Sequence, residues 1–235
     1  GDARAQQPAE PQQESKSVGA APDSSPAPPS VADESAFRLN LRHYLSYDSS
    51  SLPSEGEQYE SEGYGGGLDL SNTEVEDADL AQLTGSAFRG VRWLNLRGTA
   101  VSDDGLKHLK PLPLRTLVLE STEIDGRGFT ELKGLPLKML ILEDTKLEES
   151  NLAKLKGLPI EFLDLTGADV TDEGLLLLRG LPLKSLNLYS TRVTDAGLQY
   201  LPLLQLRKVY LTGAQVTDEA VEELKRNHPE LEVIY

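Results

Sequence analysis

The sequence predicts an α/β solenoid, with one parallel sheet on its concave side and short helices on its convex side. Three observations carry that prediction. Leu-x-Leu pairs recur at a fixed spacing through most of the chain. The segments between the pairs repeat as well, as in TAVSDDGLKHL, ADVTDEGLLLL and TRVTDAGLQYL. The first sixty residues lack the pattern and differ in composition from the remainder of the chain. Self-similarity at a period of about 20–50 residues is the mark of a stacked-repeat architecture.

The tail comes first along the chain. Residues 1–60 hold half of the chain's 14 prolines, with many Gln, Ser, Ala and Glu and few large apolar residues. Such a stretch cannot bury enough surface to offset the entropy of ordering it. It is expected to be a mostly disordered acidic tail. Its one apolar island, residues 36–45 (AFRLNLRHYL), is a possible cap on the first repeat. Gly1 stands where an initiator Met is expected, and Ala3-Arg4-Ala5 has the small-x-small spacing found left of a signal-peptidase site. These features point to an exported protein, periplasmic, cell-surface or secreted. The absence of cysteine fixes no compartment, so the cytoplasm stays open. The glycines at 65–67 read as a hinge leading into the repeats.

Residues 61–235 form the repeat domain, of about seven units. The pairs stand at Leu68/Leu70, Leu94/Leu96, Leu117/Leu119, Leu140/Leu142, Leu163/Leu165, Leu186/Leu188 and Val209/Leu211. The first spacing is 26 residues and the next five are 23. Ile234 begins a truncated eighth strand. Within a unit, apolar residues alternate with period two across each pair, which is a strand. They then fall three apart, as at Leu175, Leu178 and Leu181, which is a helix or a tight 3₁₀ turn. Thr171-Asp172, Thr194-Asp195 and Thr217-Asp218 place a capping hydroxyl and a first-turn acid at the helix start. Pro113, Pro136, Pro159 and Pro182 end the helical stretch and preset an extended entry to the next strand. A lone unit buries too little to fold, so only the stack is stable. The last helix is expected over Thr217 to about Asn227, followed by Pro229 and a final strand flanked by Glu230 and Glu232.

The units read L-x-x-L-x-L-x-x-T followed by x-V-T-D-x-G-L. In that pattern the sequence resembles the leucine-rich-repeat proteins over about residues 66–235. It is most similar to the bacterial type related to ribonuclease-inhibitor-like and F-box-associated repeats. The usual Asn or Cys at the turn is replaced by Thr73, Thr99, Thr122, Thr145 and Thr191, and by Ala168 and Ala214. A Thr hydroxyl can bond the loop backbone and Ala cannot, so the two Ala units should have looser turns.

The same residues narrow the function. A net charge of −15 leaves no basic stripe for phosphate contacts, which argues against nucleic acid, and it disfavours anionic lipid. No apolar run reaches the ~18 residues of a membrane span. Without cysteine there are no disulfides, no thiolate nucleophile and no Cys-ligated zinc. His43 lies in the tail, His108 in the second repeat and His228 near the last helix, so they cannot form a metal cluster on the solenoid. No nucleophile elbow, P-loop or dinucleotide fingerprint is present. Ser102-Asp103-Asp104 does not follow the calcium-loop order, and the recurrence of such acids reads as helix capping. The expectation is a non-enzymatic chain with no catalytic residues, no metal and no cofactor.

Strand alternation then names a binding face. With Leu117 and Leu119 inward, Thr116, Val118 and Glu120 face out, and the same register gives Trp93, Asn95 and Arg97 in the second unit. Trp93, Val118, Met139, Ile141 and Phe162 are expected to form a contiguous apolar strip, which Tyr189 and Tyr210 extend. Arg97, Glu120, Glu143 and Asp164 form its polar rim. Exposed apolar patches with aromatic and Arg anchors mark interaction sites. The expected function is binding a protein partner on this face. Two alternatives stand beside it, a carbohydrate or cell-wall binding module and a self-associating scaffold, and the tail itself could cover the strip.

Overall fold

The computed structural model describes residues 1, 67–84 and 88–235. The expectations for residues 1–60, including the island at 36–45, lie outside the described residues.

Among the described residues, eight three-residue strands succeed one another: β1 (Gly67–Asp69), β2 (Trp93–Asn95), β3 (Thr116–Val118), β4 (Met139–Ile141), β5 (Phe162–Asp164), β6 (Ser185–Asn187), β7 (Lys208–Tyr210) and β8 (Glu232–Ile234). They form one parallel sheet in sequence order. Leu94, Leu117, Leu140, Leu163, Leu186 and Val209 are in register across it. All six are fully buried in one continuous core. The last strand corrects the reading by one position. Val233, not Ile234, stands opposite Val209. The final spacing, Val209 to Val233, is one residue longer than the five 23-residue spacings before it. Gly67 belongs to β1 rather than to a hinge, and a Cβ on it would meet Trp93 Cε3 at 2.9 Å. Glycine is needed there because the indole lies against the strand.

The returning segments are short. Asp77–Leu80, Asp172–Leu177, Asp195–Leu198 and Asp218–Asn227 are α-helical. Leu106–Leu109, Arg127–Leu132, Glu149–Leu155 and Leu201–Leu204 are 3₁₀. The units that read Thr-Asp open in α-helix. Those that read Ser102-Asp103, Asp125-Gly126 and Glu148-Glu149 make 3₁₀ turns instead. The C-terminal helix matches its expected span, with Asp218 and Glu219 in the first turn and Lys225 and Arg226 in the last.

The recurring acid does more than favour a helix dipole. Asp77, Glu149, Asp172 and Asp195 each reach into the following unit. Asp172 accepts from the Thr194 N–H at 2.8 Å and from its hydroxyl at 2.6 Å. Asp77 does the same with Ser102, Glu149 with Thr171, and Asp195 with Thr217. Asp103 accepts from the Asp125 and Gly128 N–H groups. Capping is therefore only half of what these residues do. The Thr194 and Thr217 hydroxyls accept from their own helices, while the acids stitch unit to unit. Glycine at 105, 174 and 197 makes room, because a Cβ there would collide with Asp77, Glu149 and Asp172.

Gly126 breaks this series. It stands where the other units carry the acid and has φ +95°. The next unit compensates with Asn151 where the units on either side carry Gly128 and Gly174. Its side-chain amide donates to the Asp125 carbonyl at 2.9 Å, and its Cβ fills the space over Gly126.

The Ala turns are not looser. Thr73, Thr99, Thr122, Thr145 and Thr191 each donate their hydroxyl to the carbonyl three residues back. Ala168 and Ala214 keep the backbone bond to Leu165 and Leu211 at 3.0 and 2.9 Å, against 3.2 Å for Thr99 and 3.4 Å for Thr145. A left-handed residue one step earlier sets the turn in each of these units, and in the two Ala units it is Gly167 and Gly213.

Candidate functional site

The register arranges the outward side chains in rows that cross the strands. The first row runs Gly67, Trp93, Thr116, Met139, Phe162, Ser185, Lys208 and Glu232. The second runs Asp69, Asn95, Val118, Ile141, Asp164, Asn187, Tyr210 and Ile234. Beyond the strand ends stand Arg97, Glu120, Glu143, Thr166 and Tyr189. Trp93 and Phe162 share one row, so all the named residues fall on one side of the sheet.

Their exposure is less uniform than expected. Trp93, Met139, Phe162, Tyr189 and Tyr210 are half-buried. Val118 and Ile141 are only 1% and 5% exposed. They are the floor of the face and not part of its outer surface, since a short β-branched side chain between longer neighbours stays below them. The strip is also interrupted. Thr116 separates Trp93 from Met139 in the first row. Ser185 and Asn187 separate Phe162 and Asp164 from Lys208 and Tyr210. The apolar residues in direct register are thus Met139 with Phe162 and Val118 with Ile141.

At the C-terminal ends of the strands lies an acidic cluster. Glu120 is buried and meets Arg97, whose Nε is 3.0 Å from Glu120 Oε1. Burial, reinforced by Glu143, Asp144 and Asp164, still pushes the Glu120 carboxyl up to about 7. Burial also raises Glu143, helped by Asp164 and Asp144 and opposed by Arg97. Asp164 is raised by burial, against hydrogen bonds from Thr166 N–H at 2.9 Å and from Asn187 Nδ2 at 3.0 Å. Strand alternation does not reach Asp144, which lies beyond the strand at a left-handed turn position with φ +52°.

The opposite rim carries the residues that precede β2 to β7. They are Arg92, Arg115, Lys138, Glu161, Lys184 and Arg207. Glu161 bridges Lys138 at 2.5 Å and Lys184 at 2.6 Å. Burial pushes its carboxyl up, but the two ammonium groups outweigh that and hold it below the usual range. A parallel sheet puts all strand starts on one rim and all strand ends on the other, so these six residues, five of them basic, stand on the rim opposite the strand-end acids.

Among the described residues, no three His, Cys, Asp or Glu side chains are grouped as metal ligands would be. No described helix is long and apolar enough to cross a membrane.

A family model described as Leucine Rich repeat matches residues 159–178, which run from the end of one turn through β5 into the next helix. This fold is a leucine-rich-repeat solenoid. The match covers one unit, and the register of the strands extends the same unit over the whole sheet. None of the curated proteins compared with the chain matches it. Leucine-rich-repeat domains generally mediate protein–protein interaction and are typically non-enzymatic.

Proposed function

We propose that this leucine-rich-repeat solenoid is a non-enzymatic protein-binding module and that its partner docks on the concave sheet face. One observation carries the reading. Trp93, Met139 and Phe162 stand half-buried in one row, above a floor of Val118 and Ile141 and beside the Arg97–Glu120–Glu143–Asp164 cluster. Large, partly exposed aromatics flanked by charges are the usual anchors of protein interfaces. The repeats are of the type similar to ribonuclease-inhibitor-like and F-box-associated units, and a shallow, side-chain-rich sheet suits the same use. The reading rests on the site and not on the fold alone, since repeat folds host many functions.

The test is affinity capture from extracts of the source organism with wild type, a Trp93→Ala/Phe162→Ala variant and a Leu176→Ala variant. Leu176 is exposed on the helical side. The expected result is a partner that wild type and Leu176→Ala both retain and the double variant loses, with circular dichroism unchanged. Equal capture by the double variant would remove the concave face from the account.

A further inference from the structure

The proposed partner surface has a chemical preference set by its unbalanced charge. At the ends of β3–β5 Glu143, Asp144 and Asp164 all act on Glu120, and Asp144 and Asp164 act on Glu143, and among the described residues Arg97 is the one cation shown facing them. Only Glu120 is buried, Glu143 and Asp164 are half-buried and Asp144 is exposed; crowding carboxylates round a buried one is costly unless positive charge arrives to pair with them. Within the protein other acids of the face are handled differently. Glu161 is held between Lys138 and Lys184, and Glu232 pairs with Lys208 at 2.8 Å. The strand-end cluster is left in excess.

Two further observations point to an occupant. Asp164, the acid of the cluster nearest the strand starts, lies two residues along β5 from Phe162, and the Val118–Ile141 floor joins Glu120 and Glu143 to the Met139–Phe162 pair, so a cation arriving there carries its neighbouring side chain onto an apolar shelf. One strand over from Phe162, Ser185 is 2% exposed and, among the described residues, its hydroxyl has no hydrogen-bond partner. A buried hydroxyl is nearly always paired. Its row neighbours are Phe162 and the stem of Lys208. Ser185 stands in the outward row between Phe162 and Lys208, so a group that completes it comes from the open side of the sheet and moves one of those side chains aside. A bare metal ion does not fit the cluster, because the described carboxylates do not converge as ligands. A long, hydrogen-bonding cation such as guanidinium does.

We propose that the face over β3–β6 receives an extended segment of a partner protein in which an arginine or lysine stands next to an aromatic or aliphatic residue. The cation enters among Glu120, Glu143 and Asp164. The apolar neighbour rests on Met139 and Phe162. The segment's backbone passes Ser185. This deepens the reading above and depends on it.

The experiment uses the full chain and fluorescein-labelled synthetic peptides with a central Arg-Phe flanked by Gly and Ser. Control peptides carry citrulline for Arg, Glu for Arg, or Ala for Phe. Fluorescence anisotropy of the Arg-Phe peptide is expected to show binding that weakens with salt. It should weaken at least about tenfold with citrulline, and comparably in a Glu120→Gln/Glu143→Gln variant. Those substitutions are close to isosteric and remove buried like charges, so folding should persist; matching circular dichroism and melting confirm it. Equal affinity of the citrulline and Arg peptides overturns the proposal, as does absence of binding by the Arg-Phe peptide. So does a sedimentation profile in which wild type is a dimer and the Gln variant a monomer, because a second copy is then the occupant. If the peptides fail while the captured partner is still lost from Trp93→Ala/Phe162→Ala, this chemical assignment falls and the binding face stands.

Discussion

At the scale of single residues, the sharpest statements concern buried acids and the glycines facing them. Glu120 is a carboxyl whose folded pKa, about 7, lies above its ordinary value of 4.5. A raised acid holds its proton more tightly folded than unfolded. Its cost to stability is absent below the unfolded pKa and grows as pH rises towards the folded one. The melting temperature of Glu120→Gln relative to wild type should therefore rise between about pH 5 and 7.5, and be smallest in acid. A difference that does not change with pH would show that Glu120 is ionised in the fold throughout. Gly197 makes the second case. Gly197→Ala drives a Cβ into the Asp172 carboxylate and should cost about 1–3 kcal/mol by urea denaturation. Asp172→Ala removes both bonds to Thr194 and should cost about 1–3 kcal/mol. The double variant should cost well under the sum, because each change makes room for or excuses the other. Strict additivity would mean that the two groups do not share the site. The natural exchange at Gly126 and Asn151 is the same compensation, already in the chain.

At the scale of the element, the repeat spacing discloses the strands, the inward leucines, the proline exits and the last helix. These come from hydrophobic period, which sequence carries directly. What it leaves out is lateral. Thr171-Asp172 looks like a capping pair within its own unit, yet Asp172 bonds a residue 22 positions later. Thr and Asp suit both roles, and only the stacked structure separates them. The turn hides its determinant for a similar reason. Thr99 and Ala168 draw the eye, but the residue before each, at the left-handed position filled by Asn72, Gly98, Ser121, Asp144, Gly167, Ser190 and Gly213, is what fixes the bend. Gly, Asn and Asp, five of the seven, are types that tolerate positive φ, and Ser121 and Ser190 adopt it as well. Gly167→Val should therefore destabilise the fold more than Ala168→Thr, which restores a hydroxyl the other turns use. Urea midpoints of the two variants decide it, and the reverse order would contradict the account.

At the scale of the whole molecule, the face is legible in outline and not in relief. Alternation places Trp93, Met139, Phe162 and the acids on one side, as the register has them. It does not tell that Val118 and Ile141 sink below their neighbours, nor that Ser185 and Asn187 part the strip from Tyr210. Depth depends on the sizes of residues in adjacent strands, 23 positions away, which a single repeat does not display. The sorting of charge is also a property of the assembly. Each unit adds one residue to the basic rim and one to the opposite rim, and only stacking makes them continuous. The central claim is that a partner occupies this face. Trp93 is the only tryptophan of the chain, so 5-fluorotryptophan incorporation gives one ¹⁹F resonance located on it. Titration of the captured partner into the labelled protein is predicted to shift or broaden that resonance in step with binding. A resonance left unchanged at saturation would contradict the account.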